Sequence, residues 1–181
     1  MNKKMINLLG FIFAGLMAIS LPVESARANV EQPWKISTNP FGYFLGVYSA
    51  SASYALTNQI AVNVQPEFLY AYFVDPVIWG LGARAGVPIY FDQTYDGFYL
   101  EPGFVLNYVR QNGSGLIEAT SGVMLGPDLI AGHNWLWASG FNIDLGIGLG
   151  YKWVSFDTVD TKAGTFDGIL PTARLSFGYA F

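Results

Sequence analysis

A chain of 181 residues that is 52% hydrophobic, 17% aromatic and only 12% charged carries more apolar surface than an ordinary soluble domain of that size accommodates. Past residue 21 no run approaches the roughly 20 consecutive apolar residues of a membrane-spanning helix, so a helical membrane protein is disfavoured too. Cysteine is absent, which removes both a lipid-modified cysteine and a disulfide framework.

The amino terminus reads as a signal peptide. Lys3 and Lys4 precede an apolar stretch from Met5 to Leu21, followed by Pro22 and the small-residue pattern Ala26-Arg27-Ala28. Residues 1–28 are expected to be removed, leaving 29–181 as one domain. Lys3, Lys4, Arg27 and Glu24 fall in the removed part, so of nine basic and thirteen acidic residues six and twelve remain. A chain that acidic is not expected to bind nucleic acid.

From Trp34 onward the dominant signal is two-residue alternation, the period of a strand whose faces see different surroundings. The segment Trp34 to Thr38 is the shortest and least regular. Next, Ser49, Ser51 and Ser53 alternate with Tyr48, Ala50, Ala52 and Tyr54. Between Ile60 and Tyr72, Ile60, Val62, Val64, Pro66, Phe68, Tyr70 and Tyr72 oppose Ala61, Asn63, Gln65, Glu67, Leu69 and Ala71. The same contrast runs from Phe98 to Tyr108. It is longest from Trp135 to Trp153, where Gly140, Gly146, Gly148 and Gly150 lie on the face opposite the aromatic and aliphatic one. Small residues on the minor face suit a narrow closed sheet with its apolar side turned to lipid. A soluble sandwich would instead carry a hydrated second face rich in Lys, Glu and Thr.

Turn signals at Asn39-Pro40, Thr57-Asn58, Asp75-Pro76, Asp92 to Gly97, Asn112 to Gly115, Gly132 to Asn134 and Asp157 to Gly168 leave eight strands. The expected fold is therefore all-β, an eight-stranded antiparallel up-and-down transmembrane β-barrel. An even strand number places both termini in the periplasm, the odd turns outside the cell and the even turns on the periplasmic side. Aromatic girdles are expected from Tyr70, Tyr72, Phe73 and Trp79 at one end and from Tyr90, Phe91, Trp135 and Trp137 at the other.

The last segment sets Ile169, Ala173, Leu175, Phe177, Tyr179 and Phe181 on one face and ends in Phe181. This resembles the carboxy-terminal assembly signal of bacterial outer-membrane barrels. Arg174, Tyr179 and Phe181 match its polar and hydrophobic positions, while Ser176 stands where glycine is usual. The pattern from about residue 34 to 181 is similar to the eight-stranded group that includes OmpA-type and OmpX-type barrels. The resemblance implies an outer-membrane location, contact with outer-membrane lipid and lipopolysaccharide, and handling by the barrel-assembly machinery, with the protein monomeric. It does not imply a task, because that fold hosts adhesins, solute passages, lipid-modifying enzymes and tethers.

No constellation argues for catalysis, and no cofactor is expected. The family of barrel lipid A deacylases places His and Ser two apart on a strand, whereas the single histidine, His133, is followed by Asn134 and Trp135 and falls in a predicted turn. Ser49, Ser51 and Ser53 lack a base and read as space-saving lumen residues. Asp157, Asp160 and Asp167 fit no calcium loop, and no metal site is expected. Asn112-Gly113-Ser114 reads as a flexible turn.

Glu67, Arg84, Glu101, Asp128, Asp144, Lys152 and Arg174 all fall on inner-face positions. In a lumen about wide enough for side chains alone, such charges persist only when paired or hydrated. Glu67 with Arg84, symmetric about Asp75-Pro76, and Asp144 with Arg174 are expected to form two cross-strand pairs that merge into one network. The chain thus reads as a non-enzymatic barrel with a structural or surface-interaction role in the cell envelope. A narrow solute pore is the first alternative and a lipid-modifying enzyme the second.

Overall fold

The computed structural model describes residues 32–71, 77–111, 120–158 and 164–181. Its strands are β1 (Trp34–Thr38), β2 (Val47–Ala55), β3 (Ala61–Ala71), β4 (Ile78–Gly86), β5 (Ile89–Tyr90), β6 (Gly97–Gln111), β7 (Thr120–Leu136), β8 (Phe141–Thr158) and β9 (Gly164–Ala180), with one short helix, α1 (Pro40–Phe44). Neighbours in sequence pair antiparallel, β9 pairs back onto β1, and β4 pairs with β6, so the sheet closes on itself.

β4 and β5 are one stave of that barrel. Gly86 opposes Gly103 and Ile89 opposes Leu100, so the register against β6 is unchanged across the break. The interruption has a local cause. Pro88 and Pro102 bring no N–H to the ladder, and the bonds that remain run from Val87 N to the Pro102 carbonyl at 3.0 Å and from Ala61 N to the Pro88 carbonyl at 3.1 Å. Counted this way the barrel has eight staves, antiparallel and up-and-down.

The alternation becomes an inside and an outside. Lys35, Ser37, Ser49, Ser51, Ser53, Asn63, Arg84, Glu101, Asp128, Asp144 and Lys152 are buried, whereas Ile36, Val64, Leu81, Leu106, Leu129, Ile147, Leu149 and Ile169 are exposed. Polar side chains therefore line the interior and apolar ones the outer wall. Inward glycines make room for this interior. A Cβ on Gly103 would lie 2.5 Å from Arg84 Nη2 and 2.6 Å from Asp128 Oδ1, and one on Gly132 would lie 2.5 Å from the Tyr99 hydroxyl.

Four sequence expectations change. Gly132 to Asn134 is no turn: β7 runs on to Leu136, and the connection lies at Trp137 to Gly140, where Gly140 takes φ +91°. Gly132 and Asn134 mimic a turn because both sit on the crowded inner face. The expected turn from Asp157 to Gly168 shortens, since β8 continues to Thr158 and β9 starts at Gly164. At Asn39-Pro40 the chain forms α1, with Asn39 Oδ1 accepting from Gly42 N at 3.1 Å. Tyr90 leaves the girdle, for it faces Tyr99 across the β5–β6 pair and is buried. The amino-terminal segment, Tyr72, Phe73, Asp75-Pro76, Asn112 to Gly115 and Asp160 lie outside the described residues.

Candidate functional site

The lumen divides into three layers along its axis. At the end where β1 starts and β9 stops, Tyr90, Tyr95 and Tyr99 pack with Ile130, Ala55, Ala61 and Ala180 into an apolar plug. The loop between β5 and β6 is tied across the mouth: Thr94 N donates to the Asn58 carbonyl at 2.6 Å, and the Thr94 hydroxyl to the Thr57 carbonyl at 2.8 Å. Tyr95 reaches farthest. Its hydroxyl donates at 3.0 Å to the Pro33 carbonyl, just ahead of β1, which stands four staves from β6 in a ring of eight. This residue holds φ +70°, an uncommon conformation for a large side chain, and the packing and that hydrogen bond hold it there. Burial raises the phenol above its ordinary range, so Tyr95 remains a neutral donor.

Next comes a layer of ion pairs. Arg84, on β4, donates through Nε and Nη2 to the two oxygens of Asp128 on β7, each at 3.0 Å, and through Nη1 to Glu101 on β6. Glu101 also accepts from Arg174 on β9, at 3.0 Å from Nη2. Lys152 Nζ lies 3.8 Å from Asp128 and donates to the Gly126 carbonyl at 3.3 Å. Asp144 accepts from the Tyr99 hydroxyl at 2.6 Å and pairs with Lys35 at 3.5 Å. Glu101 is fully buried and Arg174 nearly so, and their contact joins staves three places apart, through the lumen.

The expected pairings do not form. Gln65, not Glu67, stands opposite Arg84, and Glu67 opposes Gly82. The register of β3 against β4 thus leaves Glu67 two levels from Arg84. Glu67 instead accepts from Gln65 Nε2 at 2.8 Å. Asp144 likewise opposes Ser176 rather than Arg174. Long side chains then reach beyond the directly opposite residue, to adjacent staves in Arg84–Glu101 and Lys152–Asp128 and farther in Arg84–Asp128, Lys35–Asp144 and Arg174–Glu101. Lys35 escaped sequence reasoning because β1 is too short to show its alternation; its flanks Trp34 and Ile36 were the available signal.

Beyond the ion pairs, toward α1, the lumen widens into a cavity of about 180 Å³ bordered by Thr38, Ser49, Glu67, Asn107, Lys152 and Thr172. The side of the cavity facing the plug is thus charged and its flanks carry hydroxyls.

The other candidates sit elsewhere. His133 lies within β7, not in a turn, and its ring packs between Phe98 and Trp135 at centroid distances of 4.5 and 4.4 Å. The Ser51 hydroxyl pairs with that of Ser37 at 2.6 Å. Asp167 accepts from the Tyr151 hydroxyl. At the carboxy end, Phe181 N donates to the Trp34 carbonyl at 2.8 Å and Trp34 N to the Phe181 carbonyl at 3.0 Å, and Tyr179 opposes Ile36. Among the described residues no cluster of three or more His, Cys, Asp or Glu could hold a metal ion.

Comparison with curated proteins and with solved structures gives no match. A family model described as a protein of unknown function, DUF3575, matches residues 12–170, and the chain belongs to that family.

Proposed function

We propose that this chain is a bacterial outer-membrane β-barrel with a non-enzymatic, structural or surface-interaction role, and that its lumen does not conduct solutes. The observation that carries this reading is the pair of barriers in series, a tyrosine plug tied across one mouth and an ion-pair layer that reaches between staves three places apart. An interior spent on such contacts leaves the outer surface and loops to carry the function.

The membrane location draws support from the apolar belt and from aromatics at both of its rims: Trp34, Phe98, Trp135 and Phe181 near the termini, Tyr48, Tyr70, Tyr108 and Phe156 near α1. Phe181, doubly bonded to Trp34, closes the seam at the residue that matches the assembly signal. Outer-membrane lipid, lipopolysaccharide and the barrel-assembly machinery are the partners this reading assigns, with a monomeric barrel.

The test is purified protein in planar bilayers, with heat-modifiable migration as the check on folding. Folded protein should leave the bilayer at baseline current. Discrete conductance steps would favour the pore, and an altered lipid A profile on overexpression would favour the enzyme.

A further inference from the structure

β1 pairs with β9 over only four positions, Lys35↔Ala180 to Thr38↔Phe177, whereas β8 pairs with the opposite edge of β9 over sixteen, from Tyr179 to Gly164. The cause is local. Asn39 caps α1 and Pro40 follows, so the chain leaves the sheet after one short strand. Helix α1 then packs outside the wall, with Phe41 6.3 Å from Phe177 and Tyr43 stacked 5.3 Å from Tyr48. Among the described residues no strand pairs with the β1-facing edge of β9 from Gly164 to Ser176. Pro171, in the middle of that edge, is a residue suited to an unpaired strand.

The cavity exploits this gap. It touches Thr172 and Arg174, which point inward, and also Pro171 and Ala173, which lie on the outward face of the same strand. Every residue from Leu170 to Arg174 borders it, along the stretch of β9 whose far edge no described strand covers. The lumen therefore opens sideways, between β9 and the start of β2, as well as along the axis.

The charges indicate what fits. Four cations, Lys35, Arg84, Lys152 and Arg174, serve three carboxylates, Glu101, Asp128 and Asp144, while Glu67 binds only Gln65. The layer bordering the cavity thus carries one excess positive charge, and a lone carboxylate stands at the cavity wall. The complementary guest has both an anionic and a cationic group. At about 180 Å³ the space is close to that of an engineered cavity that holds one benzene, enough for a headgroup and too small for a whole lipid.

We propose that the lumen cavity receives the zwitterionic headgroup of one ethanolamine phospholipid through the gap between β9 and β2, its phosphate toward Lys152 and Arg174, its ammonium toward Glu67 and its acyl chains left in the bilayer. The proposal rests on the membrane-barrel reading. Its test is native mass spectrometry of the detergent-released barrel, after heat-modifiable migration has established that the protein folds in vesicles.

Wild type should retain one phosphatidylethanolamine in preference to phosphatidylglycerol. Glu67→Gln should lower that preference about tenfold, the loss expected for one contact to a charged group. Ala173→Trp, on the lip of the gap, should lose the lipid, while Leu81→Trp, outward on the far side at β4, should keep it. Equal retention of the two lipids, or equal effects of the two tryptophans, would overturn the proposal. So would equal binding of free phosphoethanolamine to wild type and Ala173→Trp, which would place the route along the axis. Failure to fold in vesicles would instead overturn the membrane reading on which the proposal stands.

Discussion

Arg84 and Glu67 separate two kinds of interior charge. Arg84 holds both oxygens of Asp128 and shares Glu101 with Arg174, all in the buried layer, so Arg84→Ala leaves Asp128 with only Lys152 at 3.8 Å and takes one of two cations from Glu101. Urea unfolding in lipid vesicles should register a loss of about 3 kcal/mol or more. Glu67 is only partly buried and meets Gln65, so Glu67→Gln should stay within about 0.5 kcal/mol of wild type. Equal stability of both variants would mean that the ion-pair layer is hydrated. Tyr95 gives a second residue-scale expectation. Tyr95→Phe keeps the ring and its backbone but removes the bond to Pro33, and should cost about 1 kcal/mol by the same measurement. The inward position of these charges was legible from alternation, because each strand fixes its faces once one residue is placed. Their pairing was not: whether Glu67 faces Arg84 or Gly82 depends on where the hairpin turns, and a shift of one residue in the turn centre displaces every opposite pair by two.

Among the elements, the seam formed by β1 and β9 is the weakest part of the ring. Besides its four registered pairs it holds the reciprocal bonds between Trp34 and Phe181. Deleting Phe181 removes both of those bonds together with the terminal aromatic, so the truncated protein should lose heat-modifiable migration and fall in abundance. Normal migration and abundance would show that closure does not depend on the last residue. The long strands were readable because β6 to β9 repeat their alternation over fifteen to eighteen residues. β1 offers five residues, and in it the lumen cation Lys35 could not be told from a surface lysine. Glycine was the most ambiguous residue. At Gly140 it marks a turn with positive φ, and at Gly132 it clears space for Tyr99. Only the partner stave distinguishes the two uses.

At the scale of the whole molecule the two barriers act in series, and in series the more resistant one sets the flux. The plug and the ion-pair layer rest on largely separate contacts: Tyr95 hangs on Pro33 and the loop around Thr94, while Arg84, Glu101, Asp128 and Arg174 hold one another across the lumen. Two contacts link them: Tyr99 packs in the plug and donates to Asp144, and Lys35 lies over the Tyr95 ring at 5.1 Å. Removing one barrier therefore leaves the other standing. Tyr95→Ala opens the mouth but exposes a lumen still crossed by the Arg174 to Glu101 contact, so its planar-bilayer current should remain at baseline. A Glu101→Gln, Arg174→Met variant removes the crossing pair together while Arg84 keeps Asp128, so no carboxylate is orphaned, and it should also stay silent behind the plug. Conductance should appear only when these substitutions are combined with Tyr95→Ala, in protein that still migrates as a folded barrel. Current through Tyr95→Ala alone would mean that the ion-pair layer is permeable, and the narrow pore would then be the better account of the molecule.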